Sequence, residues 1–175
     1  MHNFKKYLSN INRDDIIRAT RLIKETVRRG SNVFVIGNGG SIATAIHFTE
    51  DLMLNNDYRI KAHNLSNISV LTAISNDWGY EDVYLKQLEN LYADGDLLVT
   101  ISASGNSSNL VKAIDYVKKN NGRVISISSF HGGVTKRKAD IPIYVRSDVG
   151  SYEITEDIHL VICHMISKLL KEDLE

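Results

Sequence analysis

One cysteine, Cys163, in 175 residues leaves no intrachain disulfide and no cysteine-based zinc cluster, and fits a reducing compartment. Proline is nearly absent too, Pro142 being the only one. Charge of one sign is also missing. Lys plus Arg number 21 and Asp plus Glu number 21, so there is no overall attraction for nucleic acid or an acidic membrane. No apolar run approaches the ~20 residues of a membrane span, and the opening MHNFKKYLSN is too polar for a signal peptide. There is no internal repeat and no low-complexity segment. These absences predict a cytoplasmic protein with a small-molecule partner. Apolar residues at 43% and charged residues at 24% are enough for a packed core. The length suits a single domain over residues 1–175, with a helical segment over 1–30 and an α/β core over 31–175.

Periodicity supplies the architecture. From Arg13 to Arg29 the apolar residues Ile16, Ile17, Ala19, Leu22, Ile23 and Val27 recur at helical spacing, with Asn12 as N-cap and Gly30 as terminator. Short β-rich runs follow at Asn32–Ile36, Leu97–Ser102, Arg123–Ser128 and Ile141–Val145, with a weaker one at Arg59–Leu65. Helical segments lie between them at Ile68–Ser75, Tyr80–Tyr92 and Asn106–Asn120, and a long helix closes the chain at Tyr152–Leu170. Strands alternating with helices predict right-handed crossovers and a five-stranded parallel sheet covered on both faces. Pro142 then marks an edge strand, where a lost donor is tolerated.

Two βα turns carry the chemistry. The first, Gly37-Asn38-Gly39-Gly40-Ser41, joins a buried strand to a helix, so backbone N–H groups and a helix start can meet an anion. It is no Walker A loop, since no Gly-Lys-Ser/Thr follows. Ile42 stands where a dinucleotide fingerprint has its third glycine, and Ala62–Ser66 offers no acidic hook for a ribose. A nucleotide is therefore not expected. The second turn, Ser102-Ala103-Ser104-Gly105-Asn106-Ser107-Ser108, is dense in hydroxyls that donate to phosphate oxygens without adding charge. In a parallel sheet both turns open on the same edge.

Titratable residues cluster on two helices. His47 and Asp51 stand at i and i+4 on one face, a pair that can bind metal, move protons or simply support the helix, with Glu50 beside them. On the last helix His159 and His164 are five apart and face different ways, so at most one points at a shared site. Asp157 and His164 share a face, while Glu156 is rotated about 80° from His164. If His47, Asp51, Glu156 and His164 converged, two imidazoles and two carboxylates would suit zinc or another divalent ion. His131 falls in a solvated loop, and Cys163 in the apolar stripe.

GNGGS, His47, SNDWGY and SASGNSSN together resemble the sugar isomerase (SIS) domain family, and within it the bacterial phosphoheptose isomerases. The resemblance implies a three-layer helix-sheet-helix sandwich of flavodoxin-like type, assembled as a homotetramer with active sites between subunits. It implies isomerisation of a sugar phosphate, sedoheptulose 7-phosphate to a heptose 7-phosphate. By position it assigns Asn38, Gly39, Gly40, Ser41, Asn76, Asp77, Ser102, Ala103, Ser104 and Ser107 to the sugar phosphate. It assigns His47 to a metal or active-site histidine and His164 to the catalytic histidine. Asp51 stands where the family has its catalytic glutamate, and Glu156 where it has a glutamine. The competing expectation is a non-catalytic SIS tetramer that binds a partner protein such as a replication initiator; the fold alone does not separate the two.

Overall fold

The computed structural model describes residues 2–54 and 60–174 of the chain. Helices α1 (His2–Ser9) and α2 (Arg13–Arg28) precede β1 (Val33–Gly37), and α3 (Gly40–Leu54) precedes β2 (Ala62–Asn64). Next come α4 (Ile68–Asp77), a 3-10 turn (Tyr80–Asp82), α5 (Leu85–Leu91) and β3 (Leu97–Ser102). The chain continues through α6 (Ser108–Lys119), β4 (Arg123–Ser128), α7 (Gly133–Lys138), β5 (Ile141–Tyr144) and α8 (Tyr152–Leu174). All five strands are parallel, in the order β2-β1-β3-β4-β5. Pro142 lies on the edge strand β5, as its missing donor requires. The β2 strand is shorter than the Arg59–Leu65 run, whose first residue lies outside the described residues.

The near-continuous apolar strands divide their side chains between two cores. Val33, Val35, Leu97, Val99, Ile101, Ile125 and Ile127 meet α2, α3 and α8 through Ile23, Phe48, Ile162 and Leu170. Phe34, Ile36, Leu98 and Val124 meet α4, α5 and α6 through Ile74, Leu88, Leu110 and Ile114. The result is the expected three-layer sandwich. Asn12 caps α2 by accepting from the Asp14 N–H at 3.0 Å, and Gly30 closes it at φ +73°. No helix among the described residues is long and apolar enough to cross a membrane.

The strand order reverses between β1 and β3. At such a switch point the loops leaving two neighbouring strands depart to opposite faces and open a crevice beyond their carboxyl ends. The loops after β1 and β3 are the two Gly/Ser turns.

Candidate active site

A cleft of about 270 Å³ lies at that switch point, walled by Asn38, Gly39, Gly40 and Ser41 from the first turn and by Ser102, Ala103, Ser104 and Ser107 from the second. Tyr152 and Glu156 of α8 complete it. The second turn is prefolded. Ser102 Oγ accepts from the Gly105 N–H at 3.0 Å, and Ser104 Oγ accepts from the Asn106 N–H at 3.2 Å. Gly105, at φ +65°, lies hard against the β4–α7 turn, and the Thr135 N–H of α7 donates to the Gly105 carbonyl at 2.9 Å. Asn106 Oδ1 accepts from the Val134 N–H at 3.1 Å, so the short helix α7 buttresses the serine loop.

The two turns are also tied to each other. Asn38 and Asn109 exchange reciprocal amide hydrogen bonds, each 2.9 Å, and Asn109 is fully buried. Tyr80 OH adds a bond of 3.0 Å to Asn38 Oδ1, and Tyr84 OH donates to the Gly37 carbonyl. Burial pushes the Tyr84 hydroxyl well above its ordinary pKa, which keeps it a donor.

Helices α3 and α8 pack side by side and run in the same direction, and they create two levels. At the first, the Glu156 carboxylate sits directly over Gly40: a Cβ there would lie 2.1 Å from Glu156 Oε2. Two turns further on, His47 Nε2 and His164 Nε2 are 3.0 Å apart, one donating and the other accepting. Each is 3.7 Å from Asp51 Oδ2. Asp51 is half-buried beside the buried Cys163, whose thiol is pushed up by burial and by the Asp51 charge.

The ligand atoms of His47, Asp51 and His164 all lie within 4.8 Å of one another. A tetrahedral zinc with bonds of 2.0–2.1 Å spaces its ligand atoms about 3.3 Å apart. Separations of 3.0, 3.7 and 3.7 Å bracket that value, so two imidazoles and a carboxylate of this set fit a divalent ion. Glu156 corrects the four-residue metal set. It stands eight residues before His164, about 12 Å along the helix, and joins the cleft instead of the cluster. Asp157 and Glu50 are exposed and stand outside the cluster. Asn76 and Asp77 do not reach the walls of the cleft either. They end α4, exposed, with Asn76 Nδ2 donating to Asp77 Oδ1 at 2.8 Å.

The family model of the SIS domain matches residues 1–129. The phosphoheptose isomerase of Yersinia pestis is 35% identical over 175 residues, covering 98% of this chain and 89% of the relative. The chain belongs to the SIS domain family. Among solved structures, phosphoheptose isomerase from Neisseria gonorrhoeae superposes with a TM-score of 0.87 at 27% identity, covering 97% of this chain and 91% of that one. Phosphoheptose isomerase from Francisella tularensis shares the fold at a TM-score of 0.87 and 24% identity, covering 97% and 92%.

Within this SIS domain, sequence reasoning missed Tyr80, Asn109 and Tyr152. Only Tyr80 had a signal, since it lies in the SNDWGY run. Asn109 looks like an ordinary first-turn residue of α6, and Tyr152 like a helix start. His159, as its different face demands, points away from the cluster: it is fully buried, its Nε2 3.0 Å from Ser129 Oγ. Burial lowers its pKa to about 4, so the ring is neutral at pH 7.

Proposed function

We propose that the chain is a phosphoheptose isomerase, converting sedoheptulose 7-phosphate to a heptose 7-phosphate through an enediol. One observation carries the reading. A cleft walled by two N–H- and hydroxyl-rich turns lies two helical turns from a His-Asp-His cluster on the same pair of helices. Along α3 that offset, Gly40 to His47, is about 10 Å. An extended seven-carbon phosphate measures roughly 10 Å from phosphorus to its first carbon. A phosphate held by Ser102, Ser104 and Ser107 therefore leaves the carbonyl end within reach of the cluster, and remote binding energy positions the reacting carbons.

Asp51 is the base that takes the proton next to the carbonyl. Its carboxylate is half-buried, and its two histidine neighbours fix its direction. His164 is the acid that protonates the carbonyl oxygen as the enediol forms; Asp51 then delivers its proton to the former carbonyl carbon while the neighbouring hydroxyl gives up its own, which completes the isomerisation. His47 Nε2 faces His164 Nε2 at 3.0 Å, so the second ring orients the first. Asp51, His47 and His164 would hold a divalent ion, zinc by ligand type, and a bound ion would polarise the substrate carbonyl in place of the His164 proton. Glu156, in the cleft, accepts hydrogen bonds from sugar hydroxyls. Asn76 and Asp77 reach the sugar only if α4 shifts or a second subunit completes the site.

The chain works as a single domain in a homotetramer within the cytoplasm. Ile68, Trp78 and Tyr80, each more than half exposed, give a second subunit apolar surface to cover. The partner-binding alternative is not favoured, because relatives matched over nearly the whole chain are isomerases. A turnover assay against C5 to C7 sugar phosphates tests the reading. Conversion of sedoheptulose 7-phosphate ahead of shorter sugars is expected, and binding without turnover of any of them would overturn it.

A further inference from the structure

The cleft has one large apolar surface among its described residues. Asn38, the glycines, Ala103 and the serines are small or polar, whereas Tyr152 is a large aromatic residue that is 51% exposed. That ring is braced. Phe130 meets it edge-on, with centroids 5.2 Å apart at 80°. Phe130 itself is buried and sits at φ +51°, a left-handed conformation uncommon for a bulky residue. Such backbone persists only where its surroundings over-determine it, and it concentrates at functional sites. The surroundings here are explicit. Tyr144 OH donates to the Phe130 carbonyl at 2.7 Å, and the Lys136 ammonium stands 3.6 Å over the Tyr144 ring. On the other side, Ser129 is held by His159 and accepts from the Gly132 N–H at 2.7 Å.

We propose that Tyr152, held edge-on by Phe130, is the specificity-determining wall of the cleft, lying along the carbon skeleton of the bound sugar phosphate. The inference rests on the proposed function. A polyhydroxy chain has a C–H edge and a hydroxyl edge. The Tyr152 ring matches the first, and Glu156, one turn further along α8 on the same face, matches the second. The serine turn recognises only the phosphate, so it treats inorganic phosphate and a sugar phosphate alike. Discrimination by carbon skeleton then falls to the wall. Phe130 is a positioning residue, reaching substrate only through Tyr152.

Calorimetric titration with sedoheptulose 7-phosphate and with inorganic phosphate separates the two contributions. Tyr152→Ala should weaken sugar-phosphate binding about tenfold while inorganic phosphate binds as before. Tyr152→Phe keeps the ring and should retain sugar-phosphate affinity. Phe130→Leu fills the core but removes the edge-on ring, and should cost about threefold for the sugar phosphate alone. Undiminished sugar-phosphate binding by Tyr152→Ala, or an equal loss for both ligands, overturns the wall while leaving the proposed function standing. Wild-type protein that binds inorganic phosphate but not the sugar phosphate overturns the proposed function, and the wall with it.

Discussion

Replacing Gly105 by alanine tests whether the serine turn is held by backbone packing. At φ +65° any L-residue carries a strain of about 1–2 kcal/mol. An added Cβ would also lie 2.0 Å from the Gly132 carbonyl oxygen and 2.7 Å from its carbon. Those are backbone atoms, and the Thr135 N–H to Gly105 carbonyl bond of 2.9 Å prevents the two turns from simply parting. Overpacking of this kind adds about 1–3 kcal/mol, for a total of about 2–5 kcal/mol. Gly30 is the internal control, because it has φ +73° but nothing within 4 Å of its would-be Cβ. At about 2–4 °C per kcal/mol for a chain of this size, Gly105→Ala should melt roughly 4–20 °C lower and Gly30→Ala roughly 2–8 °C lower. Phosphate affinity, measured below the melting range, should fall for Gly105→Ala alone. Two variants that melt together and bind phosphate equally would show that α7 and its turn do not hold the serine turn in shape.

Three further outcomes are expected. His159 is buried with its pKa lowered to about 4, so between that value and about 6.5 the unfolded chain binds a proton that the folded chain does not. Its contribution to stability is complete above about pH 6.5 and is lost as pH falls, at about 1.4 kcal/mol per unit. Urea midpoints at pH 7 and pH 5 should therefore converge in His159→Asn relative to wild type, and an unchanged difference would contradict the burial argument. His47→Ala should lower the divalent metal carried by purified protein, measured by elemental analysis, with equal metal content contradicting the three-residue site. His164→Gln should slow turnover by on the order of 10²-fold while leaving phosphate affinity unchanged, since the serine turn is a separate set of donors.

The sheet was legible because its strands are buried on both faces. Runs such as Leu97–Ser102 and Arg123–Ser128 are short, apolar and β-branched, and both strands occupy those same residues. The two Gly/Ser turns were legible for the same reason, since position after a buried strand fixes which edge they occupy. Glu156 was harder. Its spacing from His164 gave a rotation around the helix, but its destination was set by the neighbour: Gly40 leaves room for a carboxylate where any side chain would fill the space. Asn109 and Asn38 are 71 residues apart and become partners only through the β1–β3 register. Phe130 at positive φ is likewise a tertiary effect, imposed by Tyr144 from the next strand against a strong local preference. Short-range pattern located the loops, and long-range pairing decided which side chains line the cleft.

An isomerase of this kind must abstract a proton from its substrate, and isotope exchange measures that step independently of product yield. In deuterated water, wild-type protein incubated with sedoheptulose 7-phosphate should place deuterium on the carbon next to the carbonyl, detected by NMR. Asp51→Asn keeps the size of the side chain but removes its basicity, and should slow that exchange by on the order of 10²-fold or more. Sugar phosphate that binds the wild-type protein without acquiring label would contradict the isomerase account, and normal exchange by Asp51→Asn would move the base away from Asp51.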